Sequence, residues 1–340
     1  MTAIAPMTTV IKTAAPRVTH ALAADLVRAQ LKRVEAALHA VPAIEPAGLR
    51  DAVEVILSSG GKRIRPTVAL LVAGALGHPT PSEEAINIAA AVEMLHTATL
   101  VHDDLIDGSL MRRGAATLNA AWTPVATVLT GDFLFAYAAQ LAAAANSMPA
   151  MKLFAETLGV IVAGELRQSF SGWTERGTRE DYERRIYAKT ASMFVLATTA
   201  MGHVCAAKSE QLAALRAYGH GFGMAFQIVD DILDFTGEQS SVGKPVGADL
   251  RRGLITLPTL RYARLNPADP DLACAMRGEC DRATYDRLVD RIRHSPAIEE
   301  ARRVAHDYAG DAIRALDALS DSPSRHALIA LADEYIGRGH

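Results

Sequence analysis

Residues Pro81–Asp107 read PSEEAINIAAAVEMLHTATLVHDDLID. Pro81 suits the opening of a helix, and Glu83 and Glu84 stand where carboxylates oppose the positive end of a helix dipole. The pattern predicts a single helix of roughly 27 residues, ~40 Å long at the α-helical rise. It closes on Asp103-Asp104-Leu105-Ile106-Asp107. Much later the chain repeats that ending: Gln227-Ile228-Val229-Asp230-Asp231-Ile232-Leu233-Asp234 is again an apolar helical stretch that finishes in Asp-Asp-x-x-Asp.

Outward from these two stretches the helical period continues. Leu22, Leu26, Ala29, Val34 and Leu38 recur at three- and four-residue steps in Thr19–Ala40. Helices are predicted at 51–57, 66–76, 125–145, 149–172, 178–207, 209–236, 256–265, 283–294, 298–319 and 325–336, with short breaks rich in Gly, Pro, Ser or Asp. Half of the 340 residues are apolar and 5% are aromatic. Abundant Ala and Leu with few aromatics favours helices over sheets. No strand set, solenoid repeat or dividing linker is visible, so the reading is an all-α bundle over 19–340, preceded by a loose tail over 1–18. That tail lacks the basic and apolar regions of a signal peptide. The net charge of −3 excludes the strong basic excess of a nucleic-acid binder. The apolar stretches are interrupted by Glu93, His96, Asp103 or Asp132, so no membrane span is expected. Three cysteines without metal spacing, Cys205, Cys274 and Cys280, read as reduced thiols in a cytoplasmic protein.

The chemistry sits in the acidic clusters. Positions i and i+4 share a helix face, which pairs Asp103 with Asp107 and Asp230 with Asp234. Carboxylates crowded in one turn resist ionisation unless a cation joins them. Mg²⁺ prefers such oxygen donors together with phosphate oxygens. One cluster alone reads equally well as a solvated acidic helix end. Two clusters, each embedded in Leu, Ile and Val, favour metal, because buried Asp is paired or metal-bound. Cations accompany them. Gly60-Gly61-Lys62-Arg63-Ile64-Arg65-Pro66 sets three charges after a glycine pair, where a backbone can approach an anion closely. Arg112 and Arg113 follow the first cluster, either as anion contacts or as charge-balancing partners. Lys189-Thr190 and Lys244 come later. His96 lies seven residues before Asp103, on the same face.

Taken together, these motifs resemble the trans-prenyl diphosphate synthases, or polyprenyl synthetases, from about Leu22 to the C-terminus. The match includes Gly164-Glu165 with Gln168, Lys189-Thr190-Ala191, Gly243-Lys244 through Asp249-Leu250, and Thr256-Leu257-Pro258. The octaprenyl and solanesyl type is the long-chain variant it resembles. The resemblance implies a helical bundle of the isoprenoid synthase type with a central cavity. It implies two or three Mg²⁺ ions held by Asp103, Asp107 and Asp230, with Asp104, Asp231 and Asp234 in support. Arg112, Lys189, Thr190, Gln227 and Lys244 would contact an allylic diphosphate such as farnesyl or geranylgeranyl diphosphate. Lys62, Arg65, His96 and Arg113 would hold isopentenyl diphosphate. A homodimer is implied as well, with membrane contact only at product release.

Product length is expected to follow from space beside the first cluster. Short-chain relatives place bulky aromatics four or five residues before the first Asp. Here those positions are Thr99 and Ala98, while Met94 and Leu95 could narrow the path one turn back. A product of C30 to C50, of the kind used for quinone side chains, is expected. Small residues there serve tight helix packing equally well, and a C15 to C20 product is the alternative. Leu254 departs from the family pattern, which carries Lys before Thr-Leu-Pro, so one cation is missing or is supplied by Arg251 or Arg252. Gly108 and Leu110 replace polar or acidic residues. A terpene cyclase would carry an Asn/Ser/Glu-type second metal motif. Glu93-x-x-His96 fits half of a di-iron bundle signature, but the second Glu-x-x-His is absent from the chain.

Overall fold

The computed structural model describes residues 20–42, 47–58, 60–112, 115–170, 177–237 and 246–337. The expected tail lies outside these residues, as do Arg113 and Lys244. The described residues are helical almost throughout. The first half holds α1 His20–Leu26, α2 Arg28–His39, α3 Ala47–Ser58, α4 Ile64–Ala75, α5 Glu83–Ile106, α6 Leu118–Ala121, α7 Pro124–Ala144 and α8 Met148–Phe170. Then come α9 Arg179–Ile186, a π-helical turn Tyr187–Ala191, α10 Ser192–Val204 and α11 Ser209–Thr236. The remainder is α12 Ala248–Arg251, α13 Leu257–Leu265, α14 Pro270–Arg277, α15 Arg282–Arg293, α16 Ala297–Ala315 and α17 Pro323–Gly337. A two-residue hairpin, Met111–Arg112 (β1) against Ala115–Ala116 (β2), is the one sheet described.

The all-α expectation therefore holds, and the two Asp-bearing helices run close to their predicted bounds. Ser82 caps α5, its side chain accepting from the Ala85 amide at 3.4 Å. Pro66 sits inside α4 rather than at its start. It lies in the first turn, where amides have no intrahelical partner to lose. Thr19–Ala40 splits into α1 and α2 at Val27, and Thr178–Ala207 is interrupted by the π turn. The helix at Pro270 was not foreseen. Asp269 caps it through the Asp271 and Leu272 amides at 2.9 and 3.2 Å.

Two apolar cores meet along α11. One gathers α2, α4, α5, α7, α10 and α17, and the other lies between α11, α13, α15 and α16. Helix α5 is enclosed by α2, α4, α7 and α10, and nearly every side chain from Ala85 to Ala98 is buried. That enclosure fixes the direction in which Asp103 and Asp107 emerge. Helix α7 is, among the described residues, long and apolar enough to cross a membrane by length and composition. It carries Asp132, and 44% of its apolar window is buried, packed against α5.

Candidate active site

A cavity of about 870 Å³ opens between the ends of α5 and α11. Its lining brings together Lys62, Arg65, His96, Thr99, Asp103, Asp107, Arg112, Lys189, Thr190, Gln227, Asp230 and Asp231. These come from positions up to 169 residues apart in the chain. Three expected residues are placed elsewhere: Met94, Leu95 and Ala98 are fully buried in helix contacts and do not line the cavity. Asp104 and Asp234 do not line it either.

The π turn sets the position of Lys189. Such turns add a residue to a helix and recur at functional sites. Here the turn is clasped by two glycines. A Cβ on Gly164 would lie 2.6 Å from the Ala188 Cβ, and one on Gly223 would lie 2.5 Å from the Ala191 Cα. Close packing of α8 and α11 therefore requires hydrogen at both positions. Lys189 Nζ reaches Asp103 Oδ2 at 3.3 Å and donates to Glu165 Oε1 at 3.1 Å. Burial alone would lower the Lys189 pKa, but Asp103 and Glu165 outweigh it and hold the ammonium above its ordinary value. Burial pushes the Asp103 carboxyl up, against the pull of Lys189 and with Glu165 and Asp107 adding repulsion.

The neighbouring aspartates are engaged differently. Arg112 Nε donates to both carboxylate oxygens of Asp104, at 2.9 and 3.0 Å. Of the two readings of this arginine, charge balance is thus realised, although its side chain still faces the cavity. Asp231 is buried, accepting from the Tyr182 hydroxyl at 2.7 Å and the Gln227 amide at 2.8 Å. Burial, with Asp249 nearby, raises its carboxyl to about 7. Thr190 donates to the Gln227 carbonyl oxygen at 2.6 Å, which completes a chain from the π turn to Tyr182. Asp234 caps α12, accepting from the Ala248 and Asp249 amides at 3.2 Å each.

Opposite the acids lies the turn Gly61–Arg65. Arg63, at φ +48°, is committed to structure. It donates to Glu35 at 2.6 Å and to Glu93 at 3.1 Å, which tie α2 and α5 to this turn. Glu93 is thus an arginine partner, which removes it from the di-iron reading. Arg65 lies over the Phe194 ring at 5.0 Å. Lys62 and Arg65 form the cationic side of the cavity, which His96 also lines.

A metal fits this donor set. Asp103, Asp107 and Asp230 offer only carboxylate oxygens, the ligands of a hard cation. Among the described residues, no three acidic, His or Cys side chains converge closely enough to hold an ion by themselves. Ion binding through one or two carboxylates plus phosphate oxygens is the Mg²⁺ habit. Glu165 and Arg185 also line the cavity, and the sequence reading gave neither of them a role, whereas Arg252 is one of the two arginines expected to replace the missing lysine.

The polyprenyl synthetase family model matches residues 46–290. The chain belongs to the polyprenyl synthetase family. It is 38% identical over 281 residues to octaprenyl diphosphate synthase of Escherichia coli, covering 82% of this chain and 86% of that one. A crystal structure of a decaprenyl diphosphate synthase from Rhodobacter capsulatus superposes with a TM-score of 0.86 at 33% identity, covering 95% of this chain and all of that one. A polyprenyl synthase from Caulobacter crescentus, solved with calcium and isoprenyl diphosphate, gives a TM-score of 0.86 at 34% identity, covering 95% and 99%. As a polyprenyl synthetase, the chain has the isoprenoid synthase fold and is a divalent-metal-dependent trans-prenyltransferase.

Proposed function

We propose that this polyprenyl synthetase condenses isopentenyl diphosphate with an allylic diphosphate, farnesyl or geranylgeranyl diphosphate, to give an all-trans product of about C30 to C50 for quinone side chains. One observation carries the reading: the carboxylates of α5 and α11 and the cations of the Gly61–Arg65 turn face one cavity. Asp103, Asp107 and Asp230 would hold two or three Mg²⁺ ions. When bound, these neutralise charge on the departing pyrophosphate. Lys189, fixed by Glu165 and the π turn, stands beside the same charge and needs no reorganisation to stabilise it. Lys62, Arg65 and His96 position the diphosphate of isopentenyl diphosphate so that its double bond faces the allylic carbon. A proton then leaves the condensed product, and released pyrophosphate is the base. The apolar helices around the cavity exclude water that would quench an allylic cation.

The assay is product sizing. Purified protein with Mg²⁺, isopentenyl diphosphate and farnesyl diphosphate should give a prenol ladder ending at C30 or beyond. A chelator or Asp103→Ala should abolish it. A ladder ending at C20 would keep the chemistry and sink the chain length, and no product from any allylic primer would sink both.

The enzyme works in the cytoplasm as a homodimer, touching a membrane only to release product. Helices α7 and α8 support the dimer, because they leave Leu129 59% and Leu166 53% exposed, with Val125, Val162 and Phe170 near them in sequence. Sedimentation should return twice 36.2 kDa, and a monomer mass would exclude this pairing.

A further inference from the structure

Each carboxylate on the cavity side of α5 meets a cation from the opposite wall. Asp103 meets Lys189 at 3.3 Å. Asp107 meets Arg252 Nη1 at 3.4 Å. The second cation stands two residues before Leu254, the position where the family pattern carries Lys.

Local backbone geometry decides which arginine faces inward. Asp234 caps α12, and the Gly247 amide donates to the Asp234 carbonyl at 2.7 Å. The Arg252 amide then closes onto the Ala248 and Asp249 carbonyls at 3.2 and 3.1 Å. Gly253, at φ +78°, lets the chain reverse so that the Leu254 amide returns to the Asp249 carbonyl at 2.9 Å. This turn delivers residues 252 and 254 to the cavity lining, while the Arg251 guanidinium pairs with Asp286 on α15. Between Val246 and Thr256, all of them described, Arg252 is the one cation that lines the cavity. Its pair with Asp107 is solvated, the two side chains being 41% and 38% exposed. Such pairs contribute little and are readily exchanged for a better anion. A diphosphate offers the two-oxygen edge that a guanidinium fork matches.

Resting on the function proposed above, we infer that Arg252 is a positioning residue for the substrate diphosphate, carrying the charge that Leu254 cannot. It rests on Asp107 until that carboxylate is engaged elsewhere, and then turns to the phosphate oxygens.

The test combines calorimetric binding of inorganic pyrophosphate, with Mg²⁺ present, and steady-state kinetics on the full chain. Arg252→Gln should weaken pyrophosphate about tenfold, the order expected for one charge-assisted hydrogen bond. It should also raise KM for one diphosphate substrate more than it lowers kcat. Arg252→Lys should stay within about threefold of wild type, since charge is kept and only the fork is lost. Arg252→Gln with Leu254→Lys should recover most of the affinity, because it returns a cation to the same rim without rebuilding the Asp107 pair. Unchanged pyrophosphate affinity in Arg252→Gln overturns the inference. So does a loss that neither lysine variant recovers, which would mark a merely structural role. A wild-type chain that makes no prenol, yet loses pyrophosphate affinity on Arg252→Gln, sinks the proposed function and sustains this one.

Discussion

Adjacent aspartates in each cluster have opposite surroundings. Asp103 and Asp230 face the cavity, whereas Asp104 is gripped by Arg112, and Asp231, though it reaches the lining, is buried and held by Tyr182 and Gln227. Helical periodicity made the first pair legible, because it says which carboxylates share a face. It could not assign Asp231, whose partner Tyr182 lies 49 residues away, nor Asp234, whose cap role depends on the return of the chain at Ala248. Asp231→Ala should destabilise the fold by about 1–3 kcal/mol, since the buried Tyr182 hydroxyl loses its acceptor while the half-buried Gln227 amide faces the cavity. Urea unfolding measures this. The pH dependence has a definite sign. The folded-state carboxyl of Asp231 titrates at about 7, above its ordinary value of 3.8. Between these the folded chain holds a proton that the unfolded chain sheds, so the contribution is full below about 4 and is lost as pH rises through about 7. Wild type should therefore lose stability relative to Asp231→Asn over that window. A pH-independent difference would mean that the carboxyl is ionised in the folded chain throughout.

At the scale of elements, the π turn carries the arrangement of Lys189 and Thr190. Residues 178–207 read as one helix because an inserted residue leaves the apolar spacing on either side intact. The signal that was available lay on other helices, in Gly164 and Gly223, whose missing side chains admit the widened turn. The same limit applies to α14, a short helix announced only by its Asp269-Pro270 cap. Gly223→Ala should be costly. Its Cβ would lie 2.5 Å from the Ala191 Cα, a backbone atom that no rotamer change can move aside. Overpacking of this kind costs ~1–3 kcal/mol. The shift of α11 against the turn should also lower kcat at least about tenfold, because small displacements of a positioning group are expensive. Thermal melting and product formation, measured on the same preparation, check both. Full activity in a stable Gly223→Ala variant would show that the π turn tolerates displacement and does not set Lys189.

For the molecule as a whole, the all-α bundle and the meeting of distant motifs were legible from two repeated acidic endings and their accompanying cations. The path of the growing chain was not. Spacing along α5 treats Ala98 and Thr99 as equivalent neighbours of the site, but enclosure by four helices separates them. Thr99 lines the cavity, and Ala98 is buried among side chains with no exposed surface. The small residue at 98 therefore serves close helix packing, while residue 99 is the one of the two that lines the cavity. Leu100, Ile161 and Phe226 line the same space. Thr99→Phe should shorten the longest prenol by at least one isoprene unit and leave the melting temperature nearly unchanged. Ala98→Phe should destabilise the fold by ~1–3 kcal/mol, since a phenyl ring has no room among packed helices. Mass analysis of the dephosphorylated products, with thermal melting of each variant, distinguishes the two positions. A shortened ladder from a fully stable Ala98→Phe variant would place the tail behind Thr99, along the buried side of α5. Unchanged product from Thr99→Phe would move chain-length control away from this helix, to the walls formed by α8 and α11.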